Sequence, residues 1–249
     1  MDEVRETRPA RPNLDAGRLT SYAFGVQAAI GRNPMRYLVA RRFDGAGPAS
    51  ALTMLFVLQP EVLFGTYVRI SERASGDCEI DTYLPTMARP VRVAEARTFD
   101  CLPLTDVGYV DLMAWAHPAL RPLEPGDGAG PPEAGPPEAG PPDAGKTVTL
   151  RYQGPPSVPA LVVREEVDVE LGTVVRRVLT LDGRPVRHWE IVERGAAGLE
   201  TLPRRIRVAR PQTGHETEFV RTGPPLPMPP TVFGADPERL RDWIGQRLR

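Results

Sequence analysis

Asp106, Tyr109, Asp111 and His117 lie within one short stretch and could pass a proton between them. Two carboxylates flanking a phenol, with an imidazole close behind, suit general acid–base work if all face one cavity. A plainer reading makes Asp106 a helix N-cap and Asp111 a solvated or arginine-paired acid. Metal chemistry has less to draw on. The three histidines, His117, His188 and His215, stand in no HxxH or HExxH spacing, and Cys78 and Cys101 form no CxxC pair. No metal ion or cofactor is therefore expected, and both cysteines are expected to be free thiols. His188 precedes Glu190 by two residues, so the pair would share a strand face as a surface contact. The chain also lacks Gly-x-Ser-x-Gly, P-loop and Gly-x-Gly-x-x-Gly patterns, which sets aside the commonest hydrolase, nucleotide and dinucleotide readings.

The elements around this stretch read mainly as strands. Apolar runs over 35–43, 51–58, 62–70, 79–84 and 91–96 are each bounded by Gly, Pro, Asp or Ser, the pattern of an antiparallel meander. A second series covers 148–152, 160–171, 174–181, 186–192, 204–209 and 216–220. Asp182-Gly183 marks a tight hairpin within it, and Thr213-Gly214 a softer one. Helical spacing of Leu19, Tyr22, Ala23, Val26 and Ile30 predicts an N-terminal helix ended by Gly31 and Pro34. Residues 105–116 are expected to form a helix stopped by His117-Pro118. Asp236-Pro237 should start a last helix with a stripe of Leu240, Trp243, Ile244 and Leu248. The arginines of TVVRRVL and PRRIRVAR alternate with apolar residues and are expected on outward strand faces.

Residues 1–13 read as a charged, disordered lead, and 14–249 as one domain. That domain is interrupted at 124–145 by a repeat of Ala-Gly-Pro-Pro-acid with no side chain large enough to pack a core. This segment is expected to be a solvated loop of polyproline character, or a motif presented to a protein partner whose identity is unknown. With 31 basic against 32 acidic residues the net charge is −1, so no general field draws the chain to nucleic acid. The N-terminal residues lack a cationic start followed by an apolar core, and no apolar run is long enough to span a bilayer. The expected location is the cytoplasm, without stable membrane insertion.

The order of motifs resembles the outer-membrane lipoprotein-sorting (LolA/LolB-like) family. Gln59-Pro60 before Phe64-Gly65 is similar to its strand entry, and Asp81-Thr82-Tyr83-Leu84-Pro85 to its strand end. Arg89 and Arg92 match its arginine-bearing hairpin, and Asp106-x-x-Tyr109-x-Asp111-Leu112 its short lid segment. In the second half, Asp182-Gly183, Leu202-Pro203, Thr213 to Thr217 and Val232-Phe233 fit later motifs. The resemblance implies a mainly β (α+β) fold: one curved antiparallel sheet, an unclosed β-barrel wrapping lid helices, with further helices at the N- and C-termini. It also implies an apolar container for acyl chains.

Under that likeness, Phe56, Phe64, Tyr67, Tyr83, Met87, Tyr109, Met113 and Trp115 are the expected ligand-binding residues. Each large apolar side chain packed on a ligand contributes roughly 1.5 to 3 kcal/mol. The function expected is non-catalytic binding or carriage of a hydrophobic small molecule or acyl chain. The alternative is a cyclase- or isomerase-type enzyme using Asp106, Tyr109, Asp111 or His117 in the same cavity.

Overall fold

Alternating side chains build two different surfaces from one sheet. The computed structural model describes residues 11–30, 33–44, 50–102, 105–123, 146–195, 202–234 and 236–248. Its first strands are β1 (Ser21–Ile30), β2 (Asn33–Asp44), β3 (Ser50–Gln59), β4 (Tyr67–Glu72), β5 (Cys78–Tyr83) and β6 (Val91–Arg92). The one-turn helix α1 (Tyr109–Leu112) follows, then β7 (Arg121–Pro122), β8 (Thr147–Gln153), β9 (Leu161–Asp168), β10 (Thr173–Leu181) and β11 (Arg184–Glu193). The chain continues through β12 (Arg205–Arg210), β13 (His215–Arg221), β14 (Leu226–Pro227) and the terminal helix α2 (Pro237–Gly245).

Among the described residues all 14 strands belong to one antiparallel sheet, ordered β6-β5-β4-β3-β2-β1-β13-β12-β11-β10-β9-β8-β7, with β14 also pairing β1. The path is two meanders, each of sequential neighbours, joined where Val26 of β1 faces Arg221 of β13. The sheet does not close, and its end strands β6 and β7 are two residues long.

Parity assigns the faces. On β2, Met35, Tyr37 and Val39 look inward and Leu38 and Ala40 outward; on β3, Leu55 and Val57 look inward and Met54 and Phe56 outward. The inner set joins Val68 and Ile70 of β4, Leu161 and Val163 of β9, Trp189 of β11 and the lid residues Val107, Leu112 and Met113 in one core. The outer set is smaller and is covered by Leu240 and Ile244 of α2 with Met228 and Phe233. Asp236 caps α2 as expected, its side chain accepting from the Glu238 amide, with Pro237 opening the first turn.

Both glycine hairpins form where the sequence places them. Asp182 and Gly183 take φ of 51° and 72° between β10 and β11, and Gly214 takes 66° between β12 and β13. The mainly β class and the unclosed sheet also stand as expected.

The N-terminal helix is corrected to strand β1. Its helical spacing is a by-product of burial on both faces. Tyr22 and Phe24 enter the inner core while Ala23 enters the outer one, so adjacent positions are apolar without a helix. Gly25 lets the chain pass close by, since a Cβ there would lie 2.5 Å from Thr222 Oγ1. The helix expected over 105–116 shrinks to the single turn of α1, and Val110 O, Leu112 O and the Ala114 and Trp115 amides bond instead to side chains rising from the sheet. Residues 62–70 begin as a 3₁₀ turn, Glu61–Leu63, and 91–96 end in another, Glu95–Arg97. The proline-acid spacer 124–145 lies outside the described residues, as do residues 1–10 of the lead. Arg11 and Asn13 are held, their amides donating to Gly172 O and Ala114 O.

Candidate functional site

Three arginines on the inner face reach up to the lid segment 105–117. Arg41 donates through Nε to Thr53 Oγ1 at 2.9 Å, and its terminal nitrogens meet Asn13 O and Leu112 O. Arg177 pairs with Glu165 at 2.6 Å, donates to Val110 O at 2.7 Å and pairs with Asp111 at 3.2 Å. Arg187 pairs with Asp111 at 3.1 Å and donates to Phe99 O at 2.9 Å. From β4, Glu72 accepts the Ala114 and Trp115 amides at 2.8 and 3.0 Å. Arg41, Glu72, Asp111, Glu165, Arg177 and Arg187 are all buried. Burial alone would lower the Arg177 pKa, but Glu165 and Asp111 outweigh it and raise it. Burial pushes the Glu72 carboxyl up, while Arg41 and the two amides pull it back.

This clamp is the main feature that sequence reading missed. Arg177 was expected outward, yet it shares the inner face with Leu179 and only its neighbour Arg176 turns out, to Glu166. The available signal was parity: Arg41 stands two residues after Val39 and four after Tyr37.

The candidate acid–base group does not assemble. Asp111 is enclosed by two guanidiniums and the Gly108 amide, which donates to it at 2.7 Å. Asp106 does not cap a helix; it accepts from Thr217 Oγ1 at 2.6 Å and lies 3.5 Å from Arg210. Tyr109 packs into the inner core. His117 edges the Phe99 ring at 5.3 Å, accepts the Ala119 amide on Nδ1, and is held down to a pKa of about 4 by burial. It opens on a separate recess of about 760 Å³, mouth included, beside Cys78, Glu95 and Thr98. His188 and Glu190 do share an outward face, with Arg207 paired to Glu190. Among the described residues no group of three His, Cys, Asp or Glu could hold a metal ion, and Cys78 and Cys101 are free thiols. No helix among them is long and apolar enough to cross a membrane.

The expected ligand-binding residues divide between two faces. Phe56, Tyr67 and Tyr83 lie outward, Tyr67 against Phe56 at 6.3 Å and stacked on Tyr83 at 5.1 Å. Phe64 is 47% exposed beneath Arg241, whose guanidinium stands 4.5 Å from its ring centre. Met87 occupies the turn after β5, its amide donating to Leu84 O. Tyr109, Met113 and Trp115 belong to the lid segment, on the inner side.

None of these eight lines the apolar cleft that the inner face holds. That cleft offers about 520 Å³ of empty space, open mouth included. Phe24 and Val26 of β1, Tyr37 and Val39 of β2, and Leu55 of β3 form one wall; Ile206 of β12 and Phe219 of β13 form the other. Val107 and Leu112 of the lid and Leu14 roof it, and Leu202, Pro203, Arg204 and Arg221 stand at its rim. Leu14 has a φ of 55°, a conformation costly for a leucine. Tyr22 Oη holds it by donating to Leu14 O at 2.6 Å.

No protein-family model matches the chain, and no curated protein does. Solved structures do. A DUF1329 family protein from Desulfovibrio piger superposes with a TM-score of 0.60 at 14% identity, covering 84% of this chain and 86% of that one. The putative outer membrane lipoprotein-sorting protein domain from Vibrio parahaemolyticus gives 0.60 at 10% identity, over 90% and 89%. A LolA superfamily protein from Nitrosomonas europaea gives 0.59 at 14% identity, over 88% and 91%. The chain therefore has the LolA-like open-barrel fold.

Proposed function

We propose that this protein binds and carries a hydrophobic small molecule or acyl chain in the cleft between β1–β3 and β12–β13, without transforming it. The observation that carries the reading is the cleft itself, an opening walled by apolar side chains on the inner face of a sheet whose lid is tied down. Its walls are apolar side chains with a few polar groups at the rim, the lining that small-molecule pockets share. The shared fold with lipoprotein-sorting proteins agrees with a container role. An acid–base enzyme draws less support. Asp111 is spent on two arginines, and His117 opens on a different recess from the apolar walls.

The test is titration with N-phenyl-1-naphthylamine, a neutral probe that fluoresces in apolar surroundings. Wild type should bind it with an affinity unchanged by high salt, because burial and not charge supplies the contact. Leu55→Trp, which fills the cleft from β3, should bind it poorly. Absence of binding by folded wild type, or full binding by the filled variant, would sink the reading.

A further inference from the structure

Two phenols on the inner face have different fates. Tyr22 Oη donates to Leu14 O, whereas Tyr37 Oη is buried with no hydrogen-bond partner among the described residues. Tyr37 is 2% exposed and lines the cleft. A buried hydroxyl left unsatisfied costs free energy that a ligand acceptor would return. Burial, with the Asp106 carboxylate adding to it, raises the Tyr37 pKa, so this group stays a donor at any physiological pH.

The rim carries the second observation. Arg204 and Arg221 are the charged side chains among the cleft-lining residues, and they are neighbours, with the Arg221 amide donating to Arg204 O at 2.9 Å. Arg221 is oriented by carbonyls, its Nε donating to Pro203 O at 3.3 Å and its Nη1 to Gly223 O. Arg204 meets Glu193 at 3.3 Å in an exposed pair, which water already weakens. Guanidinium forks present parallel N–H donors that match carboxylate or phosphate oxygens.

We propose that the ligand of this cleft is an anionic amphiphile with a hydrogen-bond acceptor along its apolar body. The acceptor takes the Tyr37 hydroxyl proton in a hydrogen bond, and the anionic head rests on Arg204 and Arg221. This rests on the carrier reading and specifies its ligand class. A plain hydrocarbon would leave Tyr37 unsatisfied, and a cationic amphiphile would meet charge of its own sign at the rim. A carboxylate or a phosphate head would serve, as would an ester carbonyl or a hydroxyl in the chain.

The experiment displaces the neutral naphthylamine probe with stearate, hydroxystearates bearing the hydroxyl at successive chain positions, their methyl esters, and stearoyl lysophosphatidate. Anions should displace the probe at concentrations at least about tenfold lower than the esters, and the better of carboxylate and phosphate names the head. At least one hydroxystearate should outcompete stearate several-fold. In Arg204→Gln/Arg221→Gln the anion preference should vanish while the esters still bind. In Tyr37→Phe the hydroxyl preference should vanish while the melting temperature holds or rises, which loss of a structural hydrogen bond would not give. Equal displacement by acids and esters in wild type, or a hydroxyl preference retained in Tyr37→Phe, would overturn the proposal. Failure of the probe itself to bind would instead remove the carrier reading on which it rests.

Discussion

The Arg187 guanidinium occupies the place where Gly108 would carry a side chain. A Cβ built on Gly108 would overlap Arg187 Nη1, Nη2 and Cζ. This guanidinium cannot swing aside, because Asp111 and Phe99 O hold it in a buried site. The glycine is thus part of the clamp between lid and sheet.

Gly108→Ala should therefore destabilise the protein by about 1–3 kcal/mol, the usual cost of overpacking. Urea denaturation followed by tryptophan fluorescence measures it. A midpoint equal to wild type would mean that the lid can ride up without loss.

Asp111→Asn keeps the shape of the clamp and removes its charge. Two buried guanidiniums then share one fewer anion, with an expected loss on the order of 3–5 kcal/mol. The exposed Arg97–Asp100 pair is the control: Arg97→Ala should change stability by less than about 1 kcal/mol. Similar midpoint shifts for the two variants would contradict the account of the clamp.

His117 supplies a pH dependence. Its folded pKa of about 4 lies below the ordinary 6.5, so the unfolded chain binds the proton more readily. Its contribution is complete above pH 6.5, is lost as pH falls from there towards 4, and amounts to at most about 3 kcal/mol. Melting curves between pH 7 and pH 4 should steepen this loss in wild type relative to His117→Gln. Parallel curves would show that the imidazole is already solvated.

Burial pushes the Cys78 thiol up to about 12, with Glu72 and Glu79 adding to the rise. At pH 8 folded protein should therefore resist iodoacetamide at Cys78, while denatured protein should be alkylated at both cysteines. Mass spectrometry of the tryptic peptides reads both states. Rapid modification of Cys78 in the folded protein would refute its placement.

Strands were legible because turn residues bounded them and Asp182-Gly183 admitted few conformations. What failed shares one cause. Period-2 parity is masked where an apolar residue falls on each face: Tyr22, Phe24 and Val26 alternate inward, but Ala23 between them completes a helical spacing. The same parity placed Tyr37 and Leu55 in the cleft wall and Phe56 on the outer face, although aromatic character alone made Phe56 the better candidate. Arginine looks like a surface residue because Asp111, the carboxylate that Arg177 and Arg187 share, is distant in sequence from both. No local pattern brings a lid carboxylate to a strand that follows it so much later.

The junction of β1 with β13 has a kinetic consequence. Every other pairing along the main path joins sequential strands, so each meander can zip up from its hairpins with little loop entropy to overcome. Val26 and Arg221 stand roughly 200 residues apart, so their meeting, with the β1–β14 contact beside it, is a step of very high contact order. On a ribosome β1 must wait, its edge unpaired on that side, until β13 has emerged. Pulse-labelled amide exchange during refolding should accordingly protect the β10–β11 hairpin early and the β1–β13 seam last.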